Sequence, residues 1–242
     1  MSNRPDYLNM KSSAAQEAAA QPADFQSAAQ ASDVISHDGR KVLRNTYALL
    51  SMTLIFSGIM AAVAMAFNVP HFGLLTLVGY FALLFLVEKT KNSAMGLVSV
   101  FALTGFMGMT LGPILSMYAK LPGGSEMIAM AMGTTGLIFL AMSGWVLSTG
   151  KDLSGWGKTL MVGILVAFVC SLGAYFFELP ALSLAVSAMF IMLMSGLIAY
   201  ETSAILHGGE TNYISATVTL YVAIYNLFLS LLQILGVMGS DD

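Results

Sequence analysis

Three side chains with acid–base chemistry gather in the stretch YETSAILHGGETNY, residues 200–213. They are Glu201, His207 and Glu210, and they stand between two long apolar runs. Carboxylates bind cations and exchange protons, and an imidazole changes charge near neutral pH. An ionisable side chain next to a membrane segment is a functional hypothesis by default. The stretch is therefore either a site or only the turn that joins two helices.

Glu201 is the acid of this stretch that is expected to feel the membrane. The apolar run that contains it begins near Ala181, and twenty residues at about 1.5 Å each carry a helix roughly 30 Å. Glu201 then lies at or just inside one membrane interface. It either marks the end of the helix or acts as a pH- or cation-sensitive latch at the mouth of the bundle. The residues after it read as a solvated turn, with Gly208-Gly209 ending the helix.

A polar stripe follows in the last apolar run. Its members repeat with 4-3-4-3 spacing, so they share one helical face, and they are Thr219, Ala223, Asn226, Ser230 and Gln233. Amide groups that faced lipid would stay unpaired, so this face should point into the bundle. The stripe either forms hydrogen bonds between helices or lines a water-filled or ion-conducting cavity. Tyr221 and Tyr225 lie off it, where they can pack against neighbours.

A small-residue face occurs in the segment GFMGMTLGP, which contains Gly105, Gly108, Gly112 and Pro113. Gly108 and Gly112 form a GxxxG pair, at which two helix backbones can approach closely. Proline removes one helical hydrogen bond and favours a bend. The segment therefore predicts close packing with a kink, or a hinge near a central cavity.

Enzyme chemistry is not indicated. No HExxH, P-loop or Rossmann glycine pattern occurs, and the last apolar run has no lysine for a retinal Schiff base. Cys170 is the chain's only cysteine, so it predicts neither an intramolecular disulfide nor a metal site. We expect no catalytic activity and no cofactor. The net charge of −3 gives no reason to expect a nucleic-acid partner.

The composition requires a lipid bilayer as the solvent. The chain is 57% hydrophobic and 10% charged, with a mean hydropathy of +0.79, whereas a soluble domain carries about 25% charged residues. A transmembrane helix needs roughly 20 mostly apolar residues. Seven apolar segments, separated by turn residues, predict an all-α membrane protein with helices near residues 45–67, 72–88, 94–118, 127–148, 157–177, 181–206 and 213–238. The second is short for a full crossing.

Basic residues near the span ends predict the orientation, because cytoplasmic loops are enriched in lysine and arginine. With seven spans one side holds Arg40, Lys41, Arg44, Lys89, Lys91, Lys151 and Lys158, and the other side holds Lys120. This places the N-terminus and the opening stretch in the cytoplasm and Ser240-Asp241-Asp242 on the other side. Residues 1–40 are rich in Ala, Gln and Ser, which predicts a disordered cytoplasmic tail before a membrane domain at 41–242.

Several segments, in order along the chain, resemble the Bax inhibitor family (transmembrane Bax inhibitor motif proteins). They are TGFMGMTLGPILSMY, YETSAILHGGETNYISATVTLY and YNLFLSLLQILG. The first span, KVLRNTYALLSMTLIFSGIMA, and the segment HGGETNYISATV are similar to the bacterial YccA branch of that family. The resemblance covers about residues 41–238.

The family resemblance implies six helices around a central seventh and a cytoplasmic N-terminus. Some members are pH-sensitive calcium leaks controlled by two aspartates, at the cytoplasmic ends of helices six and seven. Glu201 matches the first aspartate, whereas Ala223 stands at the position of the second. Because two coupled carboxylates titrate differently from one, the two-acid switch does not carry over intact. A Ca²⁺ or H⁺ leak gated near Glu201 is the second hypothesis.

The YccA-branch resemblance implies a different role. Such proteins associate with FtsH, the membrane-bound ATP-dependent protease of the bacterial inner membrane, and restrain its degradation of other membrane proteins. The chain is therefore expected to be a multi-pass inner-membrane modulator of FtsH, with its C-terminus in the periplasm. The resemblance makes the cytoplasmic turn a docking surface as well, formed by His207, Gly208, Gly209, Glu210 and Asn212. The tail is either a handle for the protease or an inert extension.

Overall fold

The computed structural model describes residues 39–239, and this part of the chain is helical between short turns. Seven α-helices follow one another: α1 Gly39–Ala66, α2 Leu75–Thr90, α3 Met95–Ala119, α4 Gly124–Thr149, α5 Gly157–Phe176, α6 Pro180–Leu206 and α7 Tyr213–Met238. One turn of 3₁₀ helix, Ser154–Trp156, precedes α5. The predicted all-helical architecture is confirmed. The tail predicted for residues 1–40 lies outside the described residues, except that Gly39 and Arg40 are already helical.

Six of these helices, all but α2, are long and apolar enough to cross a membrane by length and composition. Helix α2 has 16 residues, which at about 1.5 Å per residue is roughly 24 Å and falls short of the hydrocarbon thickness. Helix α1 is helical from Gly39, earlier than the predicted residue 45. Hydropathy marks only its apolar part, and the helix includes Arg40, Lys41 and Arg44 as well.

The helix ends gather on two faces of the bundle. On one face, a methyl group added to Gly39 at the start of α1 would lie 3.0 Å from the carbonyl oxygen of Ile205 near the end of α6. The α6–α7 turn is hydrogen-bonded to the α2–α3 turn, and the α4–α5 turn to α6. We call this the three-turn face. The α1–α2, α3–α4 and α5–α6 turns follow the other ends of the same helices, and we call their side the opposite face.

Helix α7 is enclosed by its neighbours. Every residue from Tyr213 to Gly236 is buried or half-buried, although a helix at the rim of a membrane bundle would expose one side to lipid. It contacts α3, α4 and α6. It also reaches α1, since the hydroxyl groups of Ser57 and Tyr221 lie 2.6 Å apart.

The small-residue face of α3 lies against α1. A methyl group added to Gly105 would lie 2.8 Å from Cε1 of Phe56, and one on Gly112 would lie 2.5 Å from Cβ of Ala64. One on Gly108 would meet the carbonyl oxygen of Ser57. The two backbones therefore approach at these glycines, as close packing requires. Pro113 lies inside α3, which is assigned as one helix from Met95 to Ala119.

Candidate functional site

The α6–α7 turn begins where α6 runs out of apolar residues. His207 follows the last residue of α6, and Gly208 has φ +75°, a left-handed conformation that glycine adopts without a Cβ clash. The amides of Gly208 and Gly209 donate to the carbonyl oxygens of Ile205 and Ala204, over 3.3 and 2.8 Å. The Gly-Gly pair thus ends the helix as the sequence predicted.

Asn212 caps the start of α7 and also forms hydrogen bonds to the α2–α3 turn. Its Oδ1 accepts hydrogen bonds from the backbone amides of Ile214 (2.9 Å) and Ser215 (3.2 Å), which is the capping that asparagine provides at a helix start. Its Nδ2 donates to the carbonyl oxygen of Lys91 (3.2 Å) and to Oδ1 of Asn92 (2.8 Å). One side chain therefore caps α7 and ties the α2–α3 turn to it.

Ser203 forms hydrogen bonds to the third turn of this face, the α4–α5 turn. It is fully buried near the end of α6. Its Oγ donates to the carbonyl oxygen of Lys151 (3.0 Å) and accepts from the backbone amide of Leu153 (2.9 Å). The α4–α5 turn is thereby held against α6 on both sides of Asp152.

Two carboxylates, those of Glu210 and Asp152, accept hydrogen bonds from backbone amides of the turns. Glu210 accepts a hydrogen bond from the backbone amide of Asn212 (2.7 Å), so it orders the start of α7. Asp152 is exposed, and the amide of Ser154 donates to its carboxylate (2.8 Å). That hydrogen bond lowers the pKa of Asp152 below its usual value, because it favours the ionised form. Asp152 therefore stays negative on the three-turn face at neutral pH.

Glu201 is buried, with only 6% of its surface exposed. Its Oε1 has no hydrogen-bond partner in the described part of the chain. Glu210 lies in the turn that follows α6, nine residues along the chain. Ala223, at the position of the second family aspartate, is fully buried and supplies no polar group. The position of the second family acid therefore adds no charge beside Glu201.

The polar stripe of α7 separates into two parts. Thr219 and Asn226 donate to carbonyl oxygens of their own helix, those of Ser215 (3.2 Å) and Val222 (2.8 Å). Gln233 instead bonds α6, since its Oε1 accepts from Ser187 and its Nε2 donates to Ser183. Asn226, Ser230 and Gln233 line one cavity, whereas Ala223 belongs to the apolar core. The cavity and Glu201 therefore occupy different halves of the bundle.

Tyr221 makes hydrogen bonds to other helices that the sequence did not identify. It is 1% exposed, lies 2.6 Å from the Ser57 hydroxyl, and donates to the carbonyl oxygen of Thr104 over 3.3 Å. It thereby joins α1, α3 and α7. A phenol in an apolar helix signals that some partner is needed, but not which helix provides it.

No group of three or more His, Cys, Asp or Glu side chains that could hold a metal ion occurs within residues 39–239. The three-turn face instead offers an ordered surface of backbone and small polar groups. The buried acid beneath it is the chemically unusual feature of the region.

The sequence of the chain has relatives among known proteins. The family model described as "Inhibitor of apoptosis-promoting Bax1" matches residues 39–240. "Modulator of FtsH protease YccA" of Escherichia coli K12 is 54% identical over 202 residues, which cover 83% of this chain and 92% of that protein. "Inner membrane protein YccA" of E. coli O6:H1 has the same identity and coverage. An uncharacterised Pseudomonas aeruginosa protein is 52% identical over 202 residues, covering 83% of this chain and 91% of that protein.

Proposed function

Because the chain belongs to the Bax inhibitor family, and because a relative with 54% identity is named a modulator of FtsH protease, we propose that it binds FtsH in the inner membrane and restrains it. The identity over 202 residues is the observation that carries the proposal. The names of the family and of that relative describe an inhibitor and a modulator rather than an enzyme.

The three-turn face is the cytoplasmic side in this proposal. The support is the distribution of lysine and arginine: Arg40, Lys41 and Arg44 lie in the first turns of α1 and the other basic residues of that side flank its turns, whereas Lys120 ends α3 at the opposite face. Cytoplasmic loops carry this excess of positive charge. The C-terminal end of α7 then faces the periplasm.

The proposed architecture has six helices around α7. Its support is the enclosure of α7 between Tyr213 and Gly236, together with its contacts to α1, α3, α4 and α6. An enclosed α7 leaves the turn before it, rather than its sides, free to meet another protein.

The docking surface proposed for FtsH is the α6–α7 turn, formed by His207, Gly208, Gly209, Glu210 and Asn212. His207, Gly208 and Gly209 are exposed. The hydrogen bonds of Asn212 and Ser203 hold the turn and its two neighbours in one arrangement, so little order has to be created when a partner binds. Residues 1–40 supply the second proposed contact, as a handle for the protease.

Co-purification in mild detergent tests this docking surface. Thr211→Arg adds bulk and charge at an exposed position of the turn, and it should reduce recovery of FtsH with the tagged chain. Ser125→Arg makes the same change at an exposed position on the opposite face, and recovery should match the wild type. Equal recovery with both variants would exclude the turn as the docking surface, and no recovery with the wild type would exclude the association.

A second candidate function is a Ca²⁺ or H⁺ leak that Glu201 gates. The observation that favours it is the buried carboxylate of Glu201, whose Oε1 has no hydrogen-bond partner in the described part of the chain. Ionisable groups held inside membrane bundles are rare, and they mark substrate, ion and proton pathways. Flux into liposomes at several pH values should change with Glu201→Gln. Flux that is absent, or identical in the variant, would remove this candidate.

A further inference from the structure

A polar cavity lies between α5, α6 and α7, in the half of the bundle nearer the opposite face. Its volume is about 140 Å³, and its walls include Ser183, Ser187, Asn226, Ser230 and Gln233. Hydroxyl and amide groups both donate and accept hydrogen bonds. Their concentration around one space inside apolar helices requires an explanation beyond packing.

The cavity wall keeps hydrogen-bonding capacity that the protein does not use. Asn226 donates through Nδ2 to the carbonyl oxygen of Val222, which leaves its Oδ1 without a donor from residues 39–239. The hydroxyl of Ser230 likewise makes no hydrogen bond within the described range, although the residue is buried, with 6% of its surface exposed. A water molecule needs about 10–15 Å³ of such space and two or more polar partners. The cavity therefore has both the room and the partners for several small polar molecules.

A second cavity lies beside this space, at the surface. It has a volume of about 600 Å³, lies at the α5–α6 turn, and is lined by Tyr175, Glu178, Pro180 and Ser183 among others. Ser183 lines both cavities, so the outer and the inner space adjoin at this side chain. The opening is on the opposite face.

The inner cavity ends inside the bundle. Along α6 it extends from Ser183 to Phe190, and Phe190 lies ten residues into the helix, about 15 Å from its start, which is half of the hydrocarbon thickness. Beyond Phe190 and Asn226, Met194 of α6 and Ala223 of α7 are 2% and 0% exposed, and apolar side chains fill the space. The route therefore stops before it reaches Glu201.

The lining of the two cavities differs in charge. The outer cavity contains the carboxylate of Glu178, whereas the residues around the inner cavity are all uncharged. An unpaired charge inside a membrane bundle is costly, but a neutral hydrogen-bonding group with partners is not. The inner cavity therefore suits uncharged polar molecules and disfavours ions.

We propose that the two cavities form a blind vestibule that admits water and small uncharged hydrogen-bonding solutes from the opposite face as far as Asn226. The vestibule passes through the neck at Ser183 and is closed at its inner end. It depends neither on an association with FtsH nor on a leak at Glu201.

Cysteine labelling in intact membranes tests the vestibule. Cys170→Ser removes the chain's only thiol, and Ser230→Cys then places one in the inner cavity. Ser143→Cys is the matched control, because Ser143 is a similarly buried serine of α4 that contacts Thr202 and is not among the residues that line the cavity. A small neutral methanethiosulfonate should modify the thiol at 230 on the order of tenfold faster than the thiol at 143, since labelling follows access. Equal rates would overturn the proposal.

Two further comparisons test the route and the charge preference. Ser183→Trp should block the neck and bring the labelling of position 230 down to the control rate. Unchanged labelling would show entry from elsewhere and contradict the vestibule.

Relative to a thiol at position 178 in the mouth, the charged aminoethyl reagent should react at 230 on the order of 50-fold less than the hydroxyethyl reagent of similar size. Equal ratios would contradict the preference for neutral solutes. Ser171→Cys, on the α5 wall, provides a second reporter with the same expected outcomes.

Discussion

Ser203 and Asn212 hold the three-turn face together through single side chains. Ser203 bonds both sides of Asp152 in the α4–α5 turn, and Asn212 bonds the α2–α3 turn. The sequence predicted a turn at residues 207–212 and an acid at the end of α6. It did not predict these tethers, because all but one of their partners are backbone groups that any residue type carries, and they lie 50 to 121 positions away along the chain. The position of Glu201 near the end of α6 followed from the length of the apolar run, but its burial depends on how α6 is rotated.

Replacing Ser203 with alanine should destabilise the protein. Leu153 N–H and Lys151 C=O would lose their partner, and an unpaired buried group costs about 1–3 kcal/mol. The measurement is the thermal unfolding midpoint in detergent. Ser195→Ala is the control, because Ser195 donates only to Ile191 of its own helix, and its removal should change stability by less than about 0.5 kcal/mol. If the two variants unfold at the same temperature, the tether at Ser203 contributes nothing.

The helices themselves were largely predictable, because long apolar runs interrupted by turn residues determine them. The GxxxG segment predicted close packing, and the structure supplies α1 as the partner helix through Ser57, Ala61 and Ala64. The partner could not be read from α3 alone, since small residues permit an approach without selecting what approaches. The early start of α1 was missed because charged residues extend a helix beyond its apolar part.

Gly108→Ala tests the contact between α1 and α3. The added methyl group would meet the carbonyl oxygen of Ser57 and Cβ of Met60, and overpacking of this kind costs about 1–3 kcal/mol. Gly136→Ala makes the same change in α4, where nothing lies within 4 Å of the new methyl group, so it should be neutral or stabilising by about 0.5–1 kcal/mol. Thermal unfolding of both variants measures the difference. A stable Gly108→Ala variant would show that the helices can separate there.

Asn212 permits a test of how α7 begins. Asn212→Ala removes the cap and the tether together and should cost about 1 kcal/mol for the cap alone. Asn212→Ser keeps a capping oxygen but is too short to replace both donations to the α2–α3 turn, so its unfolding midpoint should lie between those of the alanine variant and the wild type. A serine variant that is as unstable as the alanine variant would assign the whole effect to the tether.

The molecule as a whole combines an ordered face, an enclosed last helix and two separate polar regions. Glu201 lies beneath the three-turn face, and the vestibule opens on the opposite face, with apolar residues such as Met194 and Ala223 between them. The composition predicted a membrane bundle, and the spacing of the α7 stripe predicted an inward polar face. Neither predicted that the stripe would be divided, with Ala223 in the apolar core and Asn226, Ser230 and Gln233 around a cavity. The cavity is formed by side chains of α5 and α6 as well as α7, and the spacing along α7 does not identify them.

The rate at which purified FtsH degrades a membrane-protein substrate in proteoliposomes, with and without this chain, tests the central claim most directly. A modulator that binds and restrains the protease should slow the degradation in proportion to the amount added, until the protease is saturated. Thr211→Arg should slow it less than Ser125→Arg does. Degradation that proceeds at the same rate with and without the wild-type chain would contradict the proposed function.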